Sequence, residues 1–251
     1  MDLGLTDRVH LVTGGARGLG RATADVLVAE GARVVLSGRT EESLAAAVRE
    51  LGDAATYVVG SNAEPDLPAR LIAEARSRWG RLDGALISVG GPPPGAVATT
   101  TDEQWTAAFQ SVFLGAVRLA REVAAELGEG GALAFVLSTS VKAPLTEMAI
   151  SNGLRPGLAI VAKQLADELG PRGIRVNGLL PGRVATERVA ELDALQPDPA
   201  AARASAAEGI PLRRDGEPSE FGRAAAFLLS PAASFVSGAM LPVDGGVMRA
   251  I

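Results

Sequence analysis

The chain has 251 residues, of which 47% are hydrophobic and 21% are charged, and its formal net charge is −5. That acidic balance gives no support for a nucleic-acid or anionic-membrane surface, and the absence of cysteine excludes disulfides, thiolate nucleophiles and cysteine-based metal sites. Because no linker, export signal or apolar run of about 18 residues is present, we expect one cytoplasmic domain over residues 1–251, without a metal site or membrane segment.

A strand, a glycine-rich turn and a helix follow one another directly between residues 9 and 27. The apolar strand ends at Thr13, and a helical pattern begins a few residues later. The turn contains Gly14, Gly15, Gly18 and Gly20. In this order the backbone N–H groups of the turn and the helix dipole converge on one place and favour an anion there. The stretch therefore predicts a phosphate site at the amino end of the first helix.

A second strand at residues 32–36, followed by a helix at residues 41–51, completes a strand–helix–strand unit. The carboxylate that would hold a ribose 2′-hydroxyl is missing after that strand. Arg39 and Arg17 either bind a 2′-phosphate in its place or are two solvated surface arginines. We expect the phosphate role, because Gly38 leaves no negative charge that would repel a phosphate.

The rest of the chain alternates strands and helices. Strands are predicted at residues 56–59, 82–89, 132–137, 174–179 and 240–243, and helices at residues 65–79, 102–127, 152–169 and 218–229. Such alternation predicts an α/β fold: a single doubly wound Rossmann-type parallel sheet of about seven strands with helices on both faces. Helical pieces at about residues 186–210 lack a core stripe and are expected to form a lid.

Several polar residues follow the strands at the edge where doubly wound sheets bind ligands. Asn62 is expected either to contact an adenine edge or to cap its own turn. The loop at residues 90–95 is rich in glycine and proline and is expected to border the pocket. Ser138 ends a buried strand with a hydroxyl that needs a partner in turn backbone or in a ligand. His10 lies inside the first strand and is interpreted as a core histidine with satisfied hydrogen bonds.

Four stretches give the sequence a resemblance to the short-chain dehydrogenase/reductase family over essentially its whole length. They are the turn at residues 13–20, Val176-Asn177-Gly178, Pro181-Gly182 followed by Thr186, and the ending from Ser237-Gly238 to Val243-Asp244-Gly245-Gly246. The chain looks most like relatives of 3-oxoacyl-(acyl carrier protein) reductases. The resemblance implies an NAD(P)-dependent oxidoreductase with a small-molecule substrate, assembled as a homo-oligomer, either a dimer or a tetramer.

The resemblance also implies where a dinucleotide binds. The turn would cradle the pyrophosphate, and Pro181, Gly182 and Thr186 would border the nicotinamide. The complete predicted cofactor site comprises Thr13, Gly14, Arg17, Gly18, Leu19, Gly20, Arg39, Asn62, Gly90, Arg155, Pro181, Gly182 and Thr186. Because two arginines stand where an acid would hold the ribose, we expect NADP(H) to be favoured over NAD(H).

The catalytic positions depart from the family pattern. Members carry a Tyr-x-x-x-Lys pair about 13 residues beyond a catalytic serine, and counting from Ser138 places Ser151 and Arg155 at those two positions. The family's helix asparagine is replaced by Val112. Ser138, Ser151 and Arg155 are the predicted catalytic residues. A serine hydroxyl is a far poorer acid than a phenol, and Arg155 can stabilise an oxyanion or hold ribose hydroxyls but cannot pass on a proton.

Two further features concern the missing acid. Pro156 favours a helix that begins near Arg155, because proline is comfortable only in a helix's first turn, and such a start would displace the Ser151 loop. Lys142 and Glu147 are candidates to supply a proton from the segment that passes over the pocket. Solvated loop charges are the simpler interpretation of both.

Three functions stay open at this point. The first is an NADP(H)-dependent oxidoreductase acting on a small carbonyl or alcohol, with water or Lys142 supplying the proton. The second is a repurposed non-redox member, such as a lyase, isomerase or cyclase, because the phenol, ammonium and asparagine are all lost. The third is a catalytically inactive dinucleotide-binding scaffold. We expect the first, since the cofactor frame is retained.

Overall fold

The protein, described here by a computed structural model over residues 2–249, contains a seven-stranded sheet in the order β3-β2-β1-β4-β5-β6-β7. All six strand pairings are parallel. The strands are β1 (Val9–Thr13), β2 (Arg33–Gly38), β3 (Ala55–Val59), β4 (Gly84–Ile87), β5 (Ala132–Val136), β6 (Arg175–Pro181) and β7 (Met240–Val243). Parallel pairing requires crossover connections, which the intervening helices supply.

Helices cover both faces of the sheet. They are α1 (Gly18–Ala29), α2 (Glu41–Leu51), α3 (Leu67–Trp79), α4 (Asp102–Ala108), α5 (Gly115–Glu126), α6 (Ala149–Leu169), α7 (Glu187–Asp193), α8 (Pro199–Gly209) and α9 (Pro218–Leu229). Strand β5 shows how the two cores are divided: Leu133 and Phe135 pack into one, and Ala134 and Val136 into the other. Successive side chains of a strand point to opposite faces, so a fully buried strand serves both cores. The predicted Rossmann-type α/β fold is confirmed.

The strand order reverses between β1 and β4. From β1 the chain builds outward through β2 to β3, then returns to pair β4 with the other side of β1. Loops after these two central strands therefore diverge and leave a crevice at their carboxyl ends, where open α/β sheets bind ligands. The glycine-rich turn after β1 and the loop after β4 border this crevice.

The predicted start of the helix near Arg155 is wrong, because α6 begins at Ala149 and contains Pro156 in its interior. The early start has partners distant in sequence: the N–H of Ala149 donates to the carbonyl of Gly95 at 3.1 Å. Asn152 ties the preceding loop down, since its amide accepts from the Leu145 N–H at 3.0 Å and donates to the Leu145 carbonyl at 2.8 Å. These contacts stabilise a first turn that Pro156 alone would disfavour. Ser151 consequently lies on the helix rather than in a displaced loop.

Other boundaries differ by smaller amounts. The helix predicted at residues 65–79 begins at Leu67, with Pro68 in its first turn. The pattern at residues 102–127 is helical throughout but contains a π-helical segment at Phe109–Leu114, between α4 and α5. The rings of Phe109 and Phe113 stack within it at 5.4 Å between centroids. A π segment shifts the helix register, and such segments are frequent near functional sites.

The prediction that the hydrogen bonds of His10 are satisfied is wrong. His10 is fully buried in β1, as expected, but neither ring nitrogen has a hydrogen-bond partner among the residues that the structure describes. Burial lowers the pKa of His10 from 6.5 to about 4, and this effect outweighs the opposing influence of Asp83. The histidine is therefore neutral in the folded protein at any mildly acidic pH.

His10 should make the protein less stable as the pH falls from about 6.5 towards 4. In that window the unfolded chain takes up a proton that the folded protein refuses, so unfolding becomes progressively easier. Between pH 7 and pH 5 the free energy of unfolding should fall by about 2 kcal/mol from this group alone. Denaturant titrations at both pH values test this. His10→Leu, which cannot titrate, should remove most of the difference; an equal difference in the variant would show that other groups cause it.

Candidate active site

A cavity of about 740 Å³ runs along the carboxyl ends of the central strands. Its lining contains twelve of the thirteen residues that the sequence assigns to the cofactor: Gly14, Arg17, Gly18, Leu19, Gly20, Arg39, Asn62, Gly90, Arg155, Pro181, Gly182 and Thr186. These residues come from distant parts of the chain and meet because parallel strands place their carboxyl ends at one edge. A cavity of this volume is within the range of small-molecule and cofactor sites.

The glycine-rich turn has the form that a diphosphate requires. Gly18 begins α1 with a φ of +57°, a backbone conformation that favours glycine. A Cβ on Gly20 would lie against the carbonyl oxygen of Gly14, so the turn closes tightly only with glycine there. No side chain caps the amino end of α1. Its first-turn N–H groups therefore face the cavity as donors for an anion, and the turn fits a dinucleotide's diphosphate.

Thr13, the thirteenth predicted cofactor residue, lies beneath the cavity and is absent from its lining. Its hydroxyl donates to the carbonyl of Ser88 at 2.5 Å and accepts from the Ser88 N–H at 2.8 Å. Asn62, which does line the cavity, donates from its side-chain amide to the same carbonyl at 3.2 Å. Ser88 thus joins the ends of β1 and β4 to the loop after β3. Sequence reasoning missed this role, because Ser88 acts through its main-chain N–H and carbonyl and its partners are 75 and 26 residues away.

The cavity carries an excess of positive charge although the whole protein is acidic. Its lining includes four arginines and two glutamates, which are Arg17, Arg39, Arg155, Arg188, Glu187 and Glu191. Arg39 is exposed, and no carboxylate of the described residues lies within 4.0 Å of its guanidinium. Arg17, in contrast, pairs with Glu191 at 2.7 Å. The lining is therefore suited to a polyanionic ligand: Arg39 and Arg155 have no carboxylate within 4.0 Å among the described residues, whereas Arg17 and Arg188 both pair with Glu191.

Arg155 is the predicted catalytic residue that reaches the cavity. Its side chain is buried, and its Nη1 donates to the carbonyl of Val136 at the end of β5. Its Nε has no hydrogen-bond partner within residues 2–249. Burial lowers the pKa of Arg155 to about 10, which still leaves the guanidinium charged at neutral pH. Because Nε is sealed from the cavity, only the part of the guanidinium that lines the cavity can stabilise an oxyanion or hold ligand hydroxyls.

Ser138 and Ser151 are absent from the cavity lining, although Leu137, which precedes Ser138, and Arg155, one turn after Ser151, belong to it. The Oγ of Ser138 accepts from the N–H of Ser140 at 3.1 Å, so its own hydroxyl proton stays available for donation. The Oγ of Ser140 lies 3.3 Å from the Oγ of Ser151. The three serines therefore form a short polar row beside β5. The cavity reaches only as far as Leu137 and Arg155 on this side.

The candidate proton donors in the loop before α6 do not reach the cavity. Lys142 and Glu147 are both exposed and are absent from its lining. Glu147 instead accepts from the N–H of Gly95 at 2.7 Å through its main-chain carbonyl, which joins this loop to the loop after β4. The position of the family's asparagine is occupied by buried Val112 in the π-helical segment, so no amide is offered there. The simpler interpretation of solvated charges fits both residues.

Helices α7 and α8 occupy the segment predicted as a lid. Arg188 of α7 donates to the carbonyl of Pro92 at 2.7 Å, and Glu191 reaches Arg17 on the glycine-rich turn. One helix thus contacts both sides of the cavity. Sequence reasoning did not identify Arg188 or Glu191, because their partners are 96 and 174 residues away and no local pattern distinguishes them from solvated charges.

The residues that the structure describes offer neither a metal-binding cluster nor a membrane-spanning helix. Within residues 2–249, no group of three or more histidine, aspartate or glutamate side chains is arranged to hold a metal ion. The helices of that part of the chain are also too short or too polar to cross a membrane.

Comparison with known proteins gives consistent matches over the whole chain. A family model described as Enoyl-(Acyl carrier protein) reductase matches residues 14–248. The chain is 35% identical to the A-factor type gamma-butyrolactone 1′-reductase (1S-forming) of Streptomyces virginiae, over 96% of each protein. It is 34% identical to the levodione reductase of Leifsonia aquatica, over 96% of this chain and 94% of that protein.

The chain is also similar to a solved structure. The L-sorbose reductase of Gluconobacter frateurii, in complex with NADPH and L-sorbose, superposes with a TM-score of 0.91 and 29% sequence identity. The alignment covers 100% of both chains. The match therefore includes every element that borders the cavity.

Proposed function

Since the chain belongs to the short-chain dehydrogenase/reductase family and is an NAD(P)-dependent oxidoreductase, we propose that it prefers NADP(H) and acts on a small carbonyl compound or alcohol. The observation that carries the preference is the pair of arginines, Arg17 and Arg39, in the cavity lining next to Gly38. Guanidinium groups bind phosphate with charge-assisted, bidentate hydrogen bonds, and no acid stands beside Gly38 to hold a 2′-hydroxyl instead.

The residues of the cavity fit the two ends of a dinucleotide. The first-turn N–H groups of α1 would hold the diphosphate, and Arg17 and Arg39 the 2′-phosphate. Asn62, which also lines the cavity, would contact the adenine edge. Pro181, Gly182 and Thr186 would border the nicotinamide, and Gly90 lines the same cavity. The guanidinium of Arg155, which lines the cavity, would donate to ribose hydroxyls.

In this proposal the guanidinium of Arg155 takes part in the reaction, and the tyrosine phenol of the family pattern is absent. When bound, the cofactor supplies or accepts a hydride. Arg155 would stabilise negative charge on the substrate oxygen, and the hydroxyl of Ser138 would donate a hydrogen bond to it. The guanidinium stays protonated at neutral pH, so it orients and polarises without releasing a proton.

We further propose that water is the proton source. Lys142 is exposed and outside the cavity lining, which weighs against the lysine as donor. The hydroxyls of Ser151 and Ser140 lie 3.3 Å apart, but Ser138 contacts Ser140 only through the main-chain N–H of Ser140, so the three hydroxyls do not form a continuous proton path. In this proposal water donates the proton directly, and Ser151 occupies the tyrosine position without acting as an acid.

The remaining expectations belong to the same proposal. A single domain over residues 1–251, a lid at about residues 186–210, a cytoplasmic location and a dimer or tetramer are supported by the family relationship alone. The relatives are named as reductases and dehydrogenases, so a lyase, isomerase, cyclase or inactive scaffold is not favoured.

Replacing Arg39 should change the affinity for NADPH without changing the affinity for NADH. We expect Arg39→Gln to weaken NADPH binding by about 10-fold or more, because a charge-assisted hydrogen bond contributes about 1.5–3 kcal/mol, and to leave NADH binding unchanged. Arg49→Gln, which removes the same charge from the exposed face of α2, serves as the matched control. Fluorescence titrations of both cofactors measure the dissociation constants.

Two results would contradict this proposal. If wild-type protein binds NADH as tightly as NADPH, or if Arg39→Gln weakens both equally, the preference does not come from the 2′-phosphate. If the protein binds NADPH but turns over nothing in a broad panel of carbonyls and alcohols, the proposed substrate class is wrong.

A further inference from the structure

We infer that Glu191 is a specificity-determining residue, whose carboxylate competes with a cofactor 2′-phosphate for the guanidinium of Arg17. This inference rests on the proposed function. Its first observation is the contact itself: Nη1 of Arg17 lies 2.7 Å from Oε1 of Glu191. The pair joins α7 to the glycine-rich turn across the cavity, and both residues belong to the lining.

The position of Glu191 is fixed by contacts on both sides of it. On α7, Nη2 of Arg188 donates to the carbonyl of Pro92 at 2.7 Å, while its Nη1 lies 3.8 Å from Oε2 of Glu191. At the end of the same helix, Asp193 accepts from Arg183, which also pairs with buried Asp215 at 2.8 Å. The helix therefore holds the carboxylate within reach of Arg17.

Competition follows from charge and geometry. A guanidinium edge that donates to a carboxylate cannot offer the same N–H groups to a phosphate, and the two anions also repel each other. Arg39 has no carboxylate within 4.0 Å among the described residues, so Arg17 alone is affected. NADH has no 2′-phosphate and does not need Arg17 there. Glu191 should thus reduce affinity for NADPH but not for NADH.

The size of the effect is limited by exposure. The side chains of Arg17 and Glu191 are 60% and 45% exposed, so water and salt screen the pair. We expect Glu191→Gln to tighten NADPH binding about two- to fivefold at low ionic strength, with the gain shrinking as salt is added. NADH binding should stay the same.

The test compares Glu191→Gln with Glu187→Gln, which removes the same charge from the same helix and lines the same cavity. Calorimetry would measure dissociation constants for NADPH, NADH and adenosine 2′,5′-bisphosphate, a probe that carries the phosphate without the nicotinamide. The ratio of the NADPH and NADH constants should change in Glu191→Gln only. The bisphosphate should follow NADPH. In an Arg17→Gln background, Glu191→Gln should change the ratio much less, because only the repulsion between the two anions is then relieved.

Three results would overturn the inference. If Glu191→Gln weakens the binding of NADPH and NADH equally, the ion pair only holds α7 in place over the cavity. The same shift in Glu187→Gln would show a general charge effect. If the ratio of the NADPH and NADH dissociation constants is unchanged in Glu191→Gln, Glu191 does not compete with the 2′-phosphate. Failure of wild-type protein to bind either cofactor would instead contradict the proposed function, so the two failures are distinguishable.

Discussion

The Gly20→Ala protein is expected to bind NADPH about 100-fold more weakly than the wild type. A methyl group at this position would meet the carbonyl oxygen of Gly14 within the turn. The turn can accept it only by moving its main chain, and that movement takes the first-turn N–H groups of α1 away from the diphosphate. Isothermal titration of NADPH and NADH should show both cofactors affected alike, because both carry the diphosphate.

The matched control for this substitution is Gly128→Ala. Gly128 lies in the loop between α5 and β5, and nothing lies within 4 Å of a Cβ built there. This variant should bind both cofactors as the wild type does. Thermal melting of both variants shows whether each is folded. A folded Gly20→Ala protein with wild-type affinity would mean that the turn does not hold the diphosphate.

The Arg155→Met protein is expected to lose about 100-fold or more in turnover while it still folds. Methionine fills much of the arginine's volume but removes the only charge that the catalytic positions offer to a substrate oxygen. It also leaves the carbonyl of Val136 without the Arg155 donor, so the melting temperature should drop as well. Single-turnover measurements with saturating NADPH would report the chemical step.

Arg175→Met provides a control with a similar structural cost. Arg175 is another buried arginine, and it donates to the carbonyls of Leu228 and Ser230 at 2.8 Å and 2.9 Å. It lies outside the cavity lining. Its replacement should reduce stability without slowing turnover per folded molecule. If Arg155→Met keeps normal turnover, the oxyanion is stabilised elsewhere and Arg155 has a structural role only.

The sheet and the glycine-rich turn could be predicted because their signals are local. The apolar run of β1, the glycines and the helix that follows are adjacent in sequence, and the bounds of β7, α2 and α9 match their patterns. The cofactor residues could also be placed together, since the carboxyl ends of parallel strands must share an edge. Thr13 is the exception, because its hydroxyl is bonded to the main chain of Ser88 beneath the cavity.

The rest depends on contacts between distant parts of the chain. The start of α6 is stabilised by Gly95 and by the loop at Leu145, which outweigh the local preference of Pro156. Burial of His10 could be predicted, but whether its nitrogens find partners is decided by neighbouring strands. The pairing of Arg17 with Glu191 spans 174 residues and has no signal in the sequence pattern.

The central claim is that a dinucleotide's diphosphate binds at the amino end of α1. A crystal structure of the protein grown with NADP⁺ tests this claim most directly. We expect the diphosphate within hydrogen-bond distance of the N–H groups at Gly18, Leu19 and Gly20, with the 2′-phosphate between Arg17 and Arg39. A diphosphate bound elsewhere, or a glycine-rich turn filled by the protein's own side chains, would contradict it.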